Sequence, residues 1–79
     1  MKSKSELTGA YYEDEEHVFF RNYVQAAHYL SWGATLVDLF TDSDTKLVFV
    51  FSKETHNLLK DKWGIKKEQK FKENEKENN

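Results

Sequence analysis

The sequence predicts an α+β domain: a small, largely antiparallel three-stranded sheet packed by two helices, in the order β-α-β-β-α. Three observations carry that prediction. Two short apolar runs, Leu36-Val37-Asp38-Leu39-Phe40 and Leu47-Val48-Phe49-Val50-Phe51, flank the polar segment Asp42-Ser43-Asp44-Thr45 as the arms of a hairpin flank its turn. Tyr23, Ala26, Ala27 and Leu30 recur at helical spacing between Asn22, a good N-cap, and Gly33, a good C-terminal stop. Leu58, Leu59 and Trp63 form a second stripe between Ser52 and Gly64.

Each element follows from its residues. Residues 1–10 are rich in Lys and Ser, with Leu7 as the sizeable apolar group, so they are expected to be disordered or loosely attached. The domain is expected to span residues 11–65. Four consecutive carboxylates, Glu13 to Glu16, precede His17-Val18-Phe19-Phe20-Arg21, whose β-branched and aromatic residues predict the first strand. The first helix is placed at Tyr23 to Trp32, with the Tyr23/Ala26/Ala27/Leu30 stripe inward and Gln25, His28 and Ser31 on the other face. Asp and Ser side chains in the hairpin favour a four-residue loop on a type I turn, which pairs Thr41 with Lys46. That register puts Leu36, Asp38, Phe40, Leu47, Phe49 and Phe51 on one face, and Thr35, Val37, Leu39, Val48 and Val50 on the other. Ser52 caps the second helix and Gly64 offers it a left-handed stop. Residues 66–79 hold five Lys and four Glu, a charged tail or a solvated extension of the helix.

Both hairpin arms are apolar on both faces, the pattern of a sheet covered twice. A chain of 79 residues has little material for two covers. The second is therefore expected from another molecule, either a copy of this chain in a homodimer or a partner. Small Ala26 and Ala27 seat best against bulky rings, so the Phe face is expected under the helix, with Asp38 at its edge paired to Arg21. Val37, Leu39, Val48 and Val50 are then left for association. Twelve aromatic residues are a large number for so small a core. Tyr11, Tyr12 and Trp32 are the candidate partner anchors among them, since Tyr and Trp are the usual hot-spot residues of interfaces.

Composition narrows the function classes. With no cysteine, neither a disulfide nor a thiolate metal site is available, and a reducing compartment such as the cytoplasm is the expectation. No window has signal-peptide or membrane-spanning character. Twelve basic against fourteen acidic side chains give a formal charge of -2, too balanced to announce nucleic acid or a membrane surface from totals alone.

Phe20-Arg21-Asn22, Ala26-Ala27-His28-Tyr29-Leu30, Gly33, and Val48-Phe49-Val50-Phe51 leading to a helix that ends in Trp63 together resemble DUF5659. This is a family of small uncharacterised proteins of Gram-positive bacteria and their phages. The resemblance covers about residues 18–63 and rests on packing motifs. It implies a phage or mobile-element setting and carries no catalytic residues. The acidic run and the Lys/Glu tail lie outside it.

Catalytic and metal motifs are missing from the sequence. His17, His28 and His56 show no helical ligand pairing, there is no Gly-x-Ser-x-Gly, and the three glycines are isolated, so no cofactor is expected. Asp38 and His28 are the residues worth testing for acid–base work. Lys66, Lys67, Lys70 and Lys72 beside Phe71 form a basic patch, diluted by glutamates to a net tail charge of +1. The expected function is thus a non-enzymatic protein–protein interaction module that occludes a host defence or replication protein, in the host cytoplasm if phage-encoded. The alternative is a nucleic-acid-binding accessory protein that uses the Lys-rich tail.

Overall fold

The structure, a computed structural model, describes the backbone of residues 1–77 and the side chains of residues 1–67. Its elements are β1 (Lys2–Lys4), β2 (Tyr11–Glu13), a 3-10 turn (Asp14–Glu16), β3 (His17–Phe20), α1 (Tyr23–Ser31), β4 (Asp38–Thr41), β5 (Leu47–Ser52) and α2 (Lys53–Glu77). β3, β5 and β4 form an antiparallel sheet in that order, and β1 pairs with β2 in a separate two-stranded hairpin. The fold is α+β, with two helices packed on the three-stranded sheet as the sequence predicts.

The helix boundaries follow local chemistry. Asn22 Oδ1 accepts from the backbone N–H of Val24 at 3.1 Å and of Gln25 at 3.2 Å, satisfying two donors that an uncapped helix leaves bare. Gly33, at φ 93°, ends α1 in the left-handed region that an L side chain rarely adopts. Ser52 Oγ accepts from Thr55 N–H at 3.1 Å at the start of α2. Gly64 does not stop α2, which continues to Glu77. A mid-helix glycine costs only about 1 kcal/mol, and the Lys and Glu residues that follow are strong helix formers.

The hairpin loop is one residue longer than expected. Thr41 pairs with Leu47, not Lys46, and Asp42 to Lys46 form the loop. Asp42 Oδ1 accepts from Asp44 N–H at 2.9 Å and Lys46 N–H at 3.1 Å, while Thr45 takes up the slack at φ 60°. Because side chains alternate with period two, a slip of one residue turns every β4 side chain to the other face relative to β5. Asp38 and Phe40 therefore sit with Val50 and Val48, and Leu39 with Phe49.

Each face of the sheet has its own core. Phe51, Phe49, Val18 and Phe20 pack under α1 and α2 with Ala26, Tyr29, Trp32, Leu59 and Trp63. Tyr29 stands edge-on to Phe20 and Phe51, both with ring centroids 5.5 Å away. On the opposite face Tyr12 covers Val48 and Val50, flanked by Val37 and Phe40. The second cover is thus the chain's own N-terminal hairpin and not another molecule. Residues 1–10, expected to be loose, are ordered by that role: Ser5 N–H bonds to Ala10 C=O at 2.8 Å, and Gly9 closes the turn at φ 80°.

Candidate functional site

The residues expected to bind a partner do not share one surface. Val48 and Val50 are buried beneath Tyr12, with Val37 half-buried beside them, so the sheet face expected for association is closed from within. Leu39 lies on the opposite, helix-side face by register with Phe49. Tyr11 stays exposed, as alternation along β2 requires when Tyr12 points inward.

Asp38 holds the N-terminal hairpin to the sheet. Its Oδ2 accepts from Tyr12 O–H at 2.7 Å, and its Oδ1 accepts from the backbone N–H of Glu6 and of Leu39, both at 2.8 Å. Beside it, Ser5 Oγ donates to Val37 C=O at 2.7 Å and accepts from Leu7 and Thr8 N–H. Burial pushes the Tyr12 hydroxyl well above the ordinary tyrosine range, and its bond to Asp38 adds to the effect. Every oxygen of this carboxylate is engaged in holding structure. Arg21, expected to pair with Asp38, instead meets Asp42 Oδ2 at 2.7 Å. That oxygen is enclosed and makes no hydrogen bond of acceptable angle, so the guanidinium is its compensating charge. Asp42 is held below the usual carboxylate range, first by the Lys46 backbone N–H, then by that of Asp44 and by Arg21.

His28 and Asp38 do not come together. Asp38 faces the hairpin, whereas His28 lies on α1 across the sheet, between Trp32 at 5.6 Å and Trp63 at 5.3 Å. Trp32 is half-buried in this α1–α2 seam, and Lys62 Nζ sits 4.7 Å over its ring, a cation–π contact. Deeper in the seam, Gln25 Nε2 donates to the buried Tyr29 hydroxyl at 3.2 Å, and that hydroxyl lies 2.9 Å from His56 Nδ1. Burial, and secondarily Lys60, lower the pKa of His56.

The acidic run Glu13 to Glu16 ends in an open cleft of about 410 Å³ bounded by Glu15, Glu16, His17, Ser52, Lys53 and Glu54. His17 Nδ1 is 2.7 Å from Glu13 C=O, which as a carbonyl only accepts, so this nitrogen carries the proton. No three His, Cys, Asp or Glu side chains converge on a metal-sized site among the described residues. Lys66 and Lys67 are exposed on α2, while the side chains of Lys70 and Lys72 lie outside the described residues.

The surface that sequence reasoning missed is the outer face of α1. Ala26 points into the core as expected and Tyr29 joins it, while Gln25, His28 and Trp32 face the side where α2 packs, so Tyr23, Ala27 and Leu30 are not inward as their spacing suggests. Bulky Tyr29 fills the space over Phe20 and Phe51 that small residues would leave empty. What faces outward is Tyr23 at 70 % exposure, Val24 at 40 %, Ala27, and Leu30 at 39 %. A signal for it exists in the sequence: Asn22 to Val37 contains no Asp, Glu, Lys or Arg, although 33 % of the chain is charged. Charge depletion with exposed aromatic and aliphatic groups is the composition of an interface centre, not of an ordinary helix exterior. Comparison with models of protein families, with curated proteins and with solved structures yields no match to this chain.

Proposed function

We propose that this protein is a non-enzymatic interaction module and that the outer face of α1 is its protein-docking surface. The observation that carries the reading is the charge-free stretch Asn22 to Val37, whose helix presents Tyr23, Val24 and Leu30 to solvent while its other sides are occupied by core and α2. A rigid helix capped at both ends and packed on a sheet is a well-organised platform for such contacts, because little order has to be created on binding. Buried Asp38 and the seam histidines are engaged with their own neighbours, which supports a role in contact over one in chemistry. In the phage or mobile-element setting that the family resemblance implies, the module would act by covering a surface of a host protein.

A photo-crosslinking side chain placed at Leu30 tests the reading in cells. The expected result is a discrete protein adduct at Leu30 and none at Asn57, an exposed position on α2. No adduct at Leu30, or equal labelling at both positions, overturns it. The second reading, nucleic-acid binding, is favoured by the exposure of Lys66 and Lys67 at the distal part of α2. It predicts salt-dependent retardation of DNA or RNA that disappears when residues 66–79 are deleted.

A further inference from the structure

We propose that the outer edge of β3 binds an extended basic peptide, which adds a strand antiparallel to β3 and sets a lysine or arginine side chain in the cleft beside Glu16 and Glu54. The site is separate from the α1 face and does not rest on the reading of that face as a docking surface. With the order β3-β5-β4, the sheet has β3 at one edge and β4 at the other. The β4 edge is closed from within: Asp38 Oδ1 accepts from Leu39 N–H at 2.8 Å, and Ser5 Oγ donates to Val37 C=O at 2.7 Å. Blunting of this kind stops a strand edge from recruiting another chain.

The β3 edge lacks such a cap. Val37 N–H bonds to Val50 C=O at 2.9 Å, so the main-chain groups of Val50 face β4, and those of Phe49 and Phe51 face β3. The register sets Phe49 opposite Phe20 and Phe51 opposite Val18, which leaves the N–H and C=O of Phe19 directed away from the sheet. Among the described residues no backbone bond outside the ladder reaches them. The His17 N–H is taken by Asp14 C=O, so the 3-10 turn fixes where an added strand must end. Phe19 is 43 % exposed and offers its ring to a side chain of the incoming strand.

Charge selects the peptide. The cleft of about 410 Å³ lies where β3 begins and β5 ends, and Glu15, Glu16 and Glu54 on its walls outnumber Lys53. Glu15 is engaged by the Met1 ammonium, whereas Glu16 and Glu54 are exposed and form no ion pair among the described residues. Glu54, in the first turn of α2, also offsets the positive end of that helix. An antiparallel strand beside β3 runs toward this cleft, so its C-terminal residues meet the two glutamates. Main-chain bonds to Phe19 supply the attachment, and the carboxylates supply the preference for a basic end.

The test is an NMR titration of the full chain with an amidated peptide of alternating Val and Thr that ends in two lysines, beside a counterpart that ends in two glutamates. At saturation the lysine peptide should slow hydrogen exchange of the Phe19 amide at least about tenfold, and it should bind at least about tenfold more tightly than the glutamate peptide. In the double variant Glu16→Lys, Glu54→Lys, changed at two exposed positions, circular dichroism should remain that of the folded chain and the preference should reverse. No binding of the lysine peptide up to about 5 mM, binding without protection of Phe19, or equal affinity for the two peptides overturns the proposal. An unchanged preference in the folded double variant overturns it as well. Shifts confined to Tyr23, Val24 and Leu30 overturn it too, and they leave the α1 docking reading standing.

Discussion

Tyr12 and Asp38 show how one side chain directs a segment with little structural preference of its own. The carboxylate is buried, yet each oxygen receives a donor from the N-terminal hairpin or from its own strand. Burying such a group without its donors is costly, so the hairpin and the Asp38 strand are tied to one arrangement. Tyr12→Phe keeps the ring over Val48 and Val50 but leaves Asp38 Oδ2 without its donor. Chemical denaturation should show a loss of about 1–3 kcal/mol, whereas Tyr11→Phe, on the exposed side, should be nearly neutral. Asp38 was legible as an anomaly, a carboxylate in an apolar run, but its partner was not, because Tyr12 is 26 residues away. His56 behaves differently. Its folded pKa lies below the ordinary 6.5, so the unfolded chain binds the proton more readily. The stability linked to it is full above about pH 6.5 and falls as pH drops through the lowered folded value. Denaturation midpoints measured from pH 7.5 to 5 should fall more steeply for the native sequence than for His56→Gln.

At the scale of elements, local signals placed α1, β3, β5 and the start of α2, because caps and apolar runs act within a few residues. They did not place the register of β4 on β5. That depended on Thr45 adopting φ 60°, a conformation a β-branched residue takes at a cost. Thr45→Gly should relieve that cost and raise stability by about 1 kcal/mol, read as an increase in the denaturation midpoint. The N-terminal hairpin was equally hidden, since its sequence is polar and its order comes from Ser5, Glu6 and Tyr12 meeting β4. Deleting residues 1–10 should uncover part of the Val48/Val50 face. The truncated chain is expected to bind a hydrophobic dye and to lose at least about 2 kcal/mol of stability.

For the whole molecule, two thin cores share one three-stranded sheet, and β5 contributes to both. Phe51 lies on the helix side and Val48 and Val50 on the hairpin side. A domain of this size has a narrow margin, on the order of 5 kcal/mol. Phe51→Ala, at a fully buried site, should remove about 3–5 kcal/mol and leave a chain that shows no cooperative thermal transition by circular dichroism. The architecture also determines which surface is left over. With the hairpin over one face of the sheet and the helices over the other, α1's outer side is an exposed apolar face, and charge depletion marks it out.

The order of the five elements from β3 to α2, the N-caps of both helices and the need to cover the sheet twice were determined by the sequence alone, because each arises from side chains acting on their near neighbours or from a period-two pattern. Which cover lies on which face, and which side of α1 looks outward, were decided by tertiary structure. A one-residue change in a loop reverses every side chain of a strand, and a polar segment becomes a lid only when a distant buried carboxylate accepts its hydrogen bonds.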